Sequence, residues 1–363
     1  METCIKKSDL IFESVVENAD IKKEIHTKIN NFMNKESISA TGTSGLSINE
    51  LAKCYTKQNL NRFIGIHFFN PPYNLRLCEL IPSNYNSQEF VKKLKEYLEQ
   101  ILNRKVIIVK DKPGFLANNI GFYFINMAMH YAELYKNKGG IDYIDSIIGG
   151  ITGRNMAPME TADFVGLDVH QAIVDNIYCN QEEDKKSFKK TEYVEYLLSK
   201  GLKGVKTNKG LYNYMNDEVF DIKLNQYIAK RKYEKRYIDR AYEIVRVGKY
   251  KEAYDMIIEN DNLENRILME MMLKYIIYSL KITNKVGNDI RDCDIAMAEG
   301  FNWIPPFALI ELLGGNIKVI RYIEKYLKND EVLEDFNIKS LLDREIKSIY
   351  NYRKFIKGML KNG

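Results

Sequence analysis

Residues 62–81 read RFIGIHFFNPPYNLRLCELI. Two short runs rich in β-branched and aromatic residues, Arg62 to Phe69 and Leu75 to Ile81, flank Asn70, Pro71, Pro72 and Asn74, which break regular structure. The stretch therefore reads as two strands around a bend. If the strands pair about Tyr73, His67 lies opposite Glu79, and the imidazole and carboxylate share a hydrogen bond. Such a bond fixes a tautomer and makes the ring a better base. A histidine and a glutamate at this spacing are more often unrelated surface groups, so the surrounding sequence has to decide.

Before this stretch, Asp9 to Val16 reads as a strand, and Asp20 caps a helix whose apolar positions Ile21, Ile25, Ile29 and Phe32 follow a helical period. Ile38 to Ser44 is a second strand that ends in small polar residues. After it, Asn86 and Glu89 form a capping box for a helix to Leu102, with Phe90, Leu94, Tyr97, Leu98 and Ile101 on its apolar face. Residues 105–110 (KVIIVK) are a last strand. Alternating strands and helices imply an α/β fold with an open, largely parallel sheet, whose ligand groups sit at the carboxyl ends of the strands. Glu17, Ser44, His67 and Asn70 fall at such ends.

From Lys112 onward helical patterns dominate, and Leu116 to Tyr135 is apolar on nearly all sides. A repeat follows: Asp145, Pro158, Asp163 and Gly166 have counterparts in Asp294, Pro306, Glu311 and Gly314 at nearly equal spacings. Two related helical lobes are expected. The segments read as 1–111, a partial α/β domain; 112–215, a first lobe closing near Gly204 to Tyr212; 216–262, a charged helical connector; and 263–363, a second lobe. Phe301 to Phe307 reads as core and turn.

With 363 residues and 45% apolar content the chain can bury a sizeable core. The net charge of +5 is too slight for a nucleic-acid footprint, and the basic-aromatic run from Lys230 to Tyr242 carries Glu234 and Asp239 at helical pairing distance, as a solvated helix face does. Five cysteines without a CxxC and four histidines point to reduced thiols and no metal. Neither a signal peptide nor a membrane span is read, so a cytoplasmic protein is expected.

Three motifs in order, the 62–81 stretch, Asp111 to Asn118 (DKPGFLAN) and Met156 to Asp168 (MAPMETADFVGLD), make the chain resemble the 3-hydroxyacyl-CoA dehydrogenase family over residues 8 to 212, with a weaker echo at 290 to 315. The resemblance implies a Rossmann-like NAD-binding domain followed by helical lobes. It also implies hydride transfer between a 3-hydroxyacyl-CoA and NAD in fatty-acid β-oxidation. His67 is then the general base, Glu79 its orienting partner, Ser44 a hydrogen-bond donor to the reacting oxygen and Asn118 the holder of the thioester carbonyl. Glu17, Lys22, Ser44 and Asn70 fall on the cofactor side. The expected partners are an acyl-CoA and further copies of the chain.

One departure stands out. No GxGxxG occurs, and Thr41 to Gly45 is the nearest approach to the glycine-rich first βα turn that a dinucleotide pyrophosphate needs. The expectation is a truncated dinucleotide-binding domain with an open edge at its first strand. Two alternatives accompany it: half of a split dehydrogenase, completed by a second polypeptide that supplies the missing N-terminal half, or an inactive remnant serving as a dimerisation or interaction module.

Overall fold

The computed structural model describes residues 1–357 apart from 329, 335, 336, 344 and 345. In chain order it begins with α1 (Glu2–Lys6), β1 (Leu10–Glu13), α2 (Ala19–Phe32), β2 (Ile38–Thr41), α3 (Ile48–Ala52), β3 (Phe63–Phe68), β4 (Leu77–Pro82), α4 (Gln88–Gln100) and β5 (Lys105–Ile108). Helices α5 (Ala117–Leu134), α6 (Ile141–Ile148), α7 (Pro158–Val165), α8 (Leu167–Asn180) and α9 (Glu192–Ser199) follow. Then come strands β6 (Tyr212–Asn213), β7 (Glu218–Asp221) and β8 (Gln226–Ala229). The chain continues as α10 (Arg236–Arg246), α11 (Tyr250–Glu259), α12 (Leu263–Val286), α13 (Asp292–Gly300), α14 (Pro306–Leu312), α15 (Asn316–Tyr326), α16 (Ile338–Leu342) and α17 (Tyr352–Lys357).

The chain divides into two compact units, one of residues 1–117 and 282–301, the other of 118–281 and 302–363. This cuts across the four segments expected from sequence, because α13 packs on β4 and β5 instead of staying with the rest of the second repeat. Residues 358–363 of the last expected segment lie outside the described residues.

In the first unit five strands lie in the order β1-β2-β3-β4-β5. The pairings β1–β2, β2–β3 and β4–β5 are parallel, while β3–β4 is antiparallel and sets His67 opposite Glu79. Side chains alternate between faces along each strand. One face buries Ala40, Ile64, Ile66, Cys78, Leu80 and Val106 against Val91, Leu94 and Leu98 of α4. The other face carries Glu13, Ser39, Thr41, His67 and Glu79, all at least nine-tenths buried. The same face buries Phe63, Leu77, Ile81 and Ile107, so these polar groups lie among apolar neighbours and must find partners.

Local details differ from the sequence expectation. Asn18, not Asp20, caps α2: its side chain accepts from the amides of Asp20 and Ile21. Ser87 caps α4 through Phe90 N–H, while Asn86 is turned to Ser83, and Tyr97 and Ile101 are exposed. The region 216–262 is not wholly helical, because β7 and β8 form a hairpin that β6 joins. Asp217 and Asn225 take left-handed backbone at its turns (φ 53° and 54°), a conformation Asn and Asp tolerate.

In the second unit some paired positions of the expected repeat take matching conformations. Pro158 and Pro306 each open a helix, and Gly166 and Gly314 end the matching stretches at φ 105° and 96°, where a side chain would be strained. Asp145 caps α7 by accepting Met159 and Glu160 N–H, and Asp163 accepts Leu211 and Tyr212 N–H. Asn208 sits at φ 59°, the left-handed region that Asn enters most readily after Gly. Arg154 is fully buried, its guanidinium 3.7 Å from the Phe124 ring and under 5 Å from Tyr275 and Trp303. No helix among the described residues is long and apolar enough to cross a membrane.

Candidate active site

His67 Nδ1 lies 2.8 Å from Glu79 Oε2, and both residues are buried, at 5% and 0% exposure. The other carboxylate oxygen accepts two backbone donors, Leu116 N–H at 3.0 Å and Ala117 N–H at 2.8 Å. A carboxylate only accepts, so each of these three contacts brings it a donor. With the carboxylate accepting, Nδ1 is the ring nitrogen that donates and Nε2 carries the lone pair. The two amides were not legible as site groups, yet the motif explains them: Gly114 and Phe115 both take left-handed backbone (φ 73° and 49°), turning the chain back toward Glu79. Rings close in around the imidazole, with Phe69 edge-on at 4.5 Å and Phe115 at 5.6 Å.

At the carboxyl ends of β1 and β2 a second buried cluster has formed. Glu13 accepts from Lys22 Nζ (2.8 Å), Thr41 Oγ1 (2.7 Å) and Val15 N–H (2.6 Å). His26 Nε2 stands 3.3 Å from the same carboxylate, close enough for an ion pair although too bent for a hydrogen bond. Its Nδ1 meets Tyr55 OH at 2.8 Å, and Tyr55 OH in turn meets Ser39 Oγ at 2.6 Å. Burial pushes the Glu13 pKa up, but His26, Lys22, Thr41 and the Val15 amide outweigh it and hold the group at about 2. None of Glu13, His26, Thr41 or Tyr55 was marked by sequence.

Lys22 is 1% exposed and spans Glu13 and Glu17, the latter at 3.4 Å. Glu17 is 45% exposed and accepts from Ser44 N–H at 3.1 Å and from the Thr43 hydroxyl. The loop beyond Ser44 is anchored by Asp111, whose carboxylate accepts from Ser47 Oγ, Ile48 N–H and Asn49 N–H. Of the residues singled out from sequence, His67 therefore meets Glu79, and Glu17 meets Lys22 and Ser44. Asn70 is exposed just beyond β3, and Asn118 is buried in the first turn of α5, in the second unit. Among the described residues no group of three His, Cys, Asp or Glu side chains is placed to hold a metal ion.

Comparison with known proteins bears on the domains. Residues 1–112 match the NAD binding domain of 3-hydroxyacyl-CoA dehydrogenase and residues 114–214 its C-terminal domain. A probable 3-hydroxyacyl-CoA dehydrogenase of Caenorhabditis elegans is 31% identical over 215 residues, covering 59% of this chain and 70% of that protein. One of Bacillus subtilis is 30% identical over 314 residues, covering 85% of this chain. The chain spans 39% of the Bacillus protein's length and 61% of a similar one from Deinococcus radiodurans. In fold, it matches 3-hydroxybutyryl-CoA dehydrogenase of Escherichia coli over 94% of this chain and 81% of that one, with a TM-score of 0.71 at 18% identity. Motif order, sheet register, matched domains and the worm relative together place the chain: it belongs to the 3-hydroxyacyl-CoA dehydrogenase family.

Proposed function

We propose that the chain acts as an NAD-dependent oxidoreductase on 3-hydroxyacyl-CoA thioesters in fatty-acid β-oxidation, with His67 as general base. One observation carries the reading: the 2.8 Å contact between His67 Nδ1 and a Glu79 carboxylate already held by two backbone amides. Glu79 fixes the ring and steadies the imidazolium that forms when Nε2 takes the hydroxyl proton. Ser44 donates to the reacting oxygen, and Asn118 holds the thioester carbonyl. Bound NAD supplies the hydride acceptor.

The residues present suit one end of that cofactor. The half-exposed Glu17 carboxylate can accept from ribose hydroxyls, and Asn70 lies exposed on the nicotinamide side; Lys22, fully buried, serves by fixing Glu17. The diphosphate is served less well. At the β1–α2 turn the Asp20 and Ile21 amides are taken by the Asn18 side chain, and the Asp20 carboxylate lies beside them, so the turn suits an anion poorly.

That turn favours a second reading, in which another polypeptide with a glycine-rich βαβ unit completes the cofactor site. Turnover of a 3-ketoacyl-CoA, followed as loss of NADH absorbance, tests both. Under the first reading the chain is active alone, and His67→Gln lowers kcat by about 10²–10⁴-fold while NADH affinity hardly moves. Activity that appears only with the added polypeptide supports the second. Equal turnover by wild type and His67→Gln under either condition sinks the role of His67.

A further inference from the structure

Residues 282–301 belong to the second sequence repeat but to the first structural unit. Their helix, α13, packs on β4 and β5, and its last residue fits tightly: a Cβ at Gly300 would stand 2.5 Å from Leu77 Cδ2. Leu77 is fully buried, so it cannot move aside cheaply. This close approach delivers the next residue, Phe301, to Phe69, ring centroids 6.1 Å apart and planes at 57°. Phe69 is the ring that lies edge-on to His67 at 4.5 Å. A residue that reads as core and turn in the sequence thus backs the inner wall of the imidazole.

We propose that Phe301 is a positioning residue for the His67–Glu79 pair. By holding Phe69 in place it keeps water from the Nδ1–H···Oε2 bond and prevents the ring from swinging away. A hydrogen bond sheltered from water is stronger and better aligned, since no solvent competes for the donor. Phe115 guards the imidazole from the neighbouring motif loop, but the Phe69 side depends on a segment that arrives much later in the chain. The second repeat then contributes to the chemistry of the first unit without touching a substrate. The proposal rests on His67 being the base, yet it can be tested without turnover.

The test is the exchange of the His67 imidazole N–H proton with water, followed by nitrogen-edited NMR on the full chain; the signal is assigned by its loss in His67→Gln. Wild type should show a slowly exchanging Nδ1–H. Phe301→Ala should speed its exchange by about tenfold or more, as for a group whose local opening becomes easier. Phe301→Leu, which keeps apolar bulk, should restore most of the protection. If the alanine variant does not fold, Phe301→Val replaces it, with exchange expected between leucine and alanine. An unprotected proton in wild type, or unchanged exchange in Phe301→Ala, overturns the proposal. So does equal acceleration in the alanine and leucine variants with matching losses of melting temperature, which would mean general destabilisation. Turnover unaffected by His67→Gln would remove the base role while leaving the measured shielding intact, so the two failures are separable.

Discussion

Glu79 takes three donors on two oxygens, and an amide in its place can accept on one oxygen alone. Glu79→Gln must therefore turn its NH₂ either toward the amides of Leu116 and Ala117 or toward His67 Nδ1–H. The first choice sets donor against donor in a fully buried place, and the second forces the imidazole proton to Nε2 so that Nδ1 accepts and the free lone pair is lost. We expect a loss of about 1–3 kcal/mol of stability, visible as a lower urea midpoint, together with reduced turnover. An unchanged midpoint would mean that the carboxylate is not the anchor described. His170 gives a second prediction at this scale. It is buried on α8 against Phe122, with Nδ1 unpartnered, and burial followed by the nearby charge of His130 lowers its pKa from 6.5 to about 3. The folded form keeps the ring neutral while the unfolded chain takes up a proton, so its contribution is present above pH 6.5 and is lost as the pH falls toward 3. Burial raises Asp145 and Asp163, the latter to about 6, and these oppose the trend over part of that range. The difference between His170→Leu and wild type isolates the histidine. The variant's relative stability should rise as pH falls, by up to about 1.4 kcal/mol per unit, and parallel pH curves from urea titrations would refute it.

Among the elements, the β1–α2 turn makes the sharpest demand. Under the reading in which a second polypeptide completes the cofactor site, the chain alone, with its Asp20 and Ile21 amides engaged by Asn18, should bind NADH weakly or not at all. Isothermal titration checks this, and a micromolar dissociation constant would mean that other groups hold the diphosphate. The β3–β4 hairpin was legible because two apolar runs flank a bend that carries two prolines, and the strands do pair about Tyr73, with His67 opposite Glu79. The cluster around Glu13 was not, since Glu13, Lys22, His26, Thr41 and Tyr55 come from two strands, a helix and a loop, with no common spacing. The Leu116 and Ala117 amides were invisible for another reason: backbone donors leave no residue signature. The β7–β8 hairpin was hidden by charged composition, although Asp217 and Asn225 mark its turns.

For the whole molecule, a Rossmann-like sheet domain followed by a helical region was legible, but the assignment of α13 to the sheet unit was not. Its sequence repeats the first lobe's pattern, and only tertiary packing decides where it lies. This changes what truncation should do. A chain of residues 112–363 should still melt cooperatively through the helices of the second unit, whereas residues 292–300, stripped of β4 and β5, should lose amide protection and leave Met297 and Cys293 open to water. Hydrogen exchange by mass spectrometry reads both; full protection across α13 in the fragment would contradict the division. The interleaving also has a consequence for how the protein is made. The sheet leaves the ribosome complete at Ile108, yet the helix that covers β4 and β5 is finished only at Gly300. At about 5–20 residues per second that is a wait on the order of 10–40 seconds. Throughout it a nascent half-covered sheet stands exposed to the cell's chaperones, and a pause in translation before α13 would lengthen that vulnerable interval without altering a single residue.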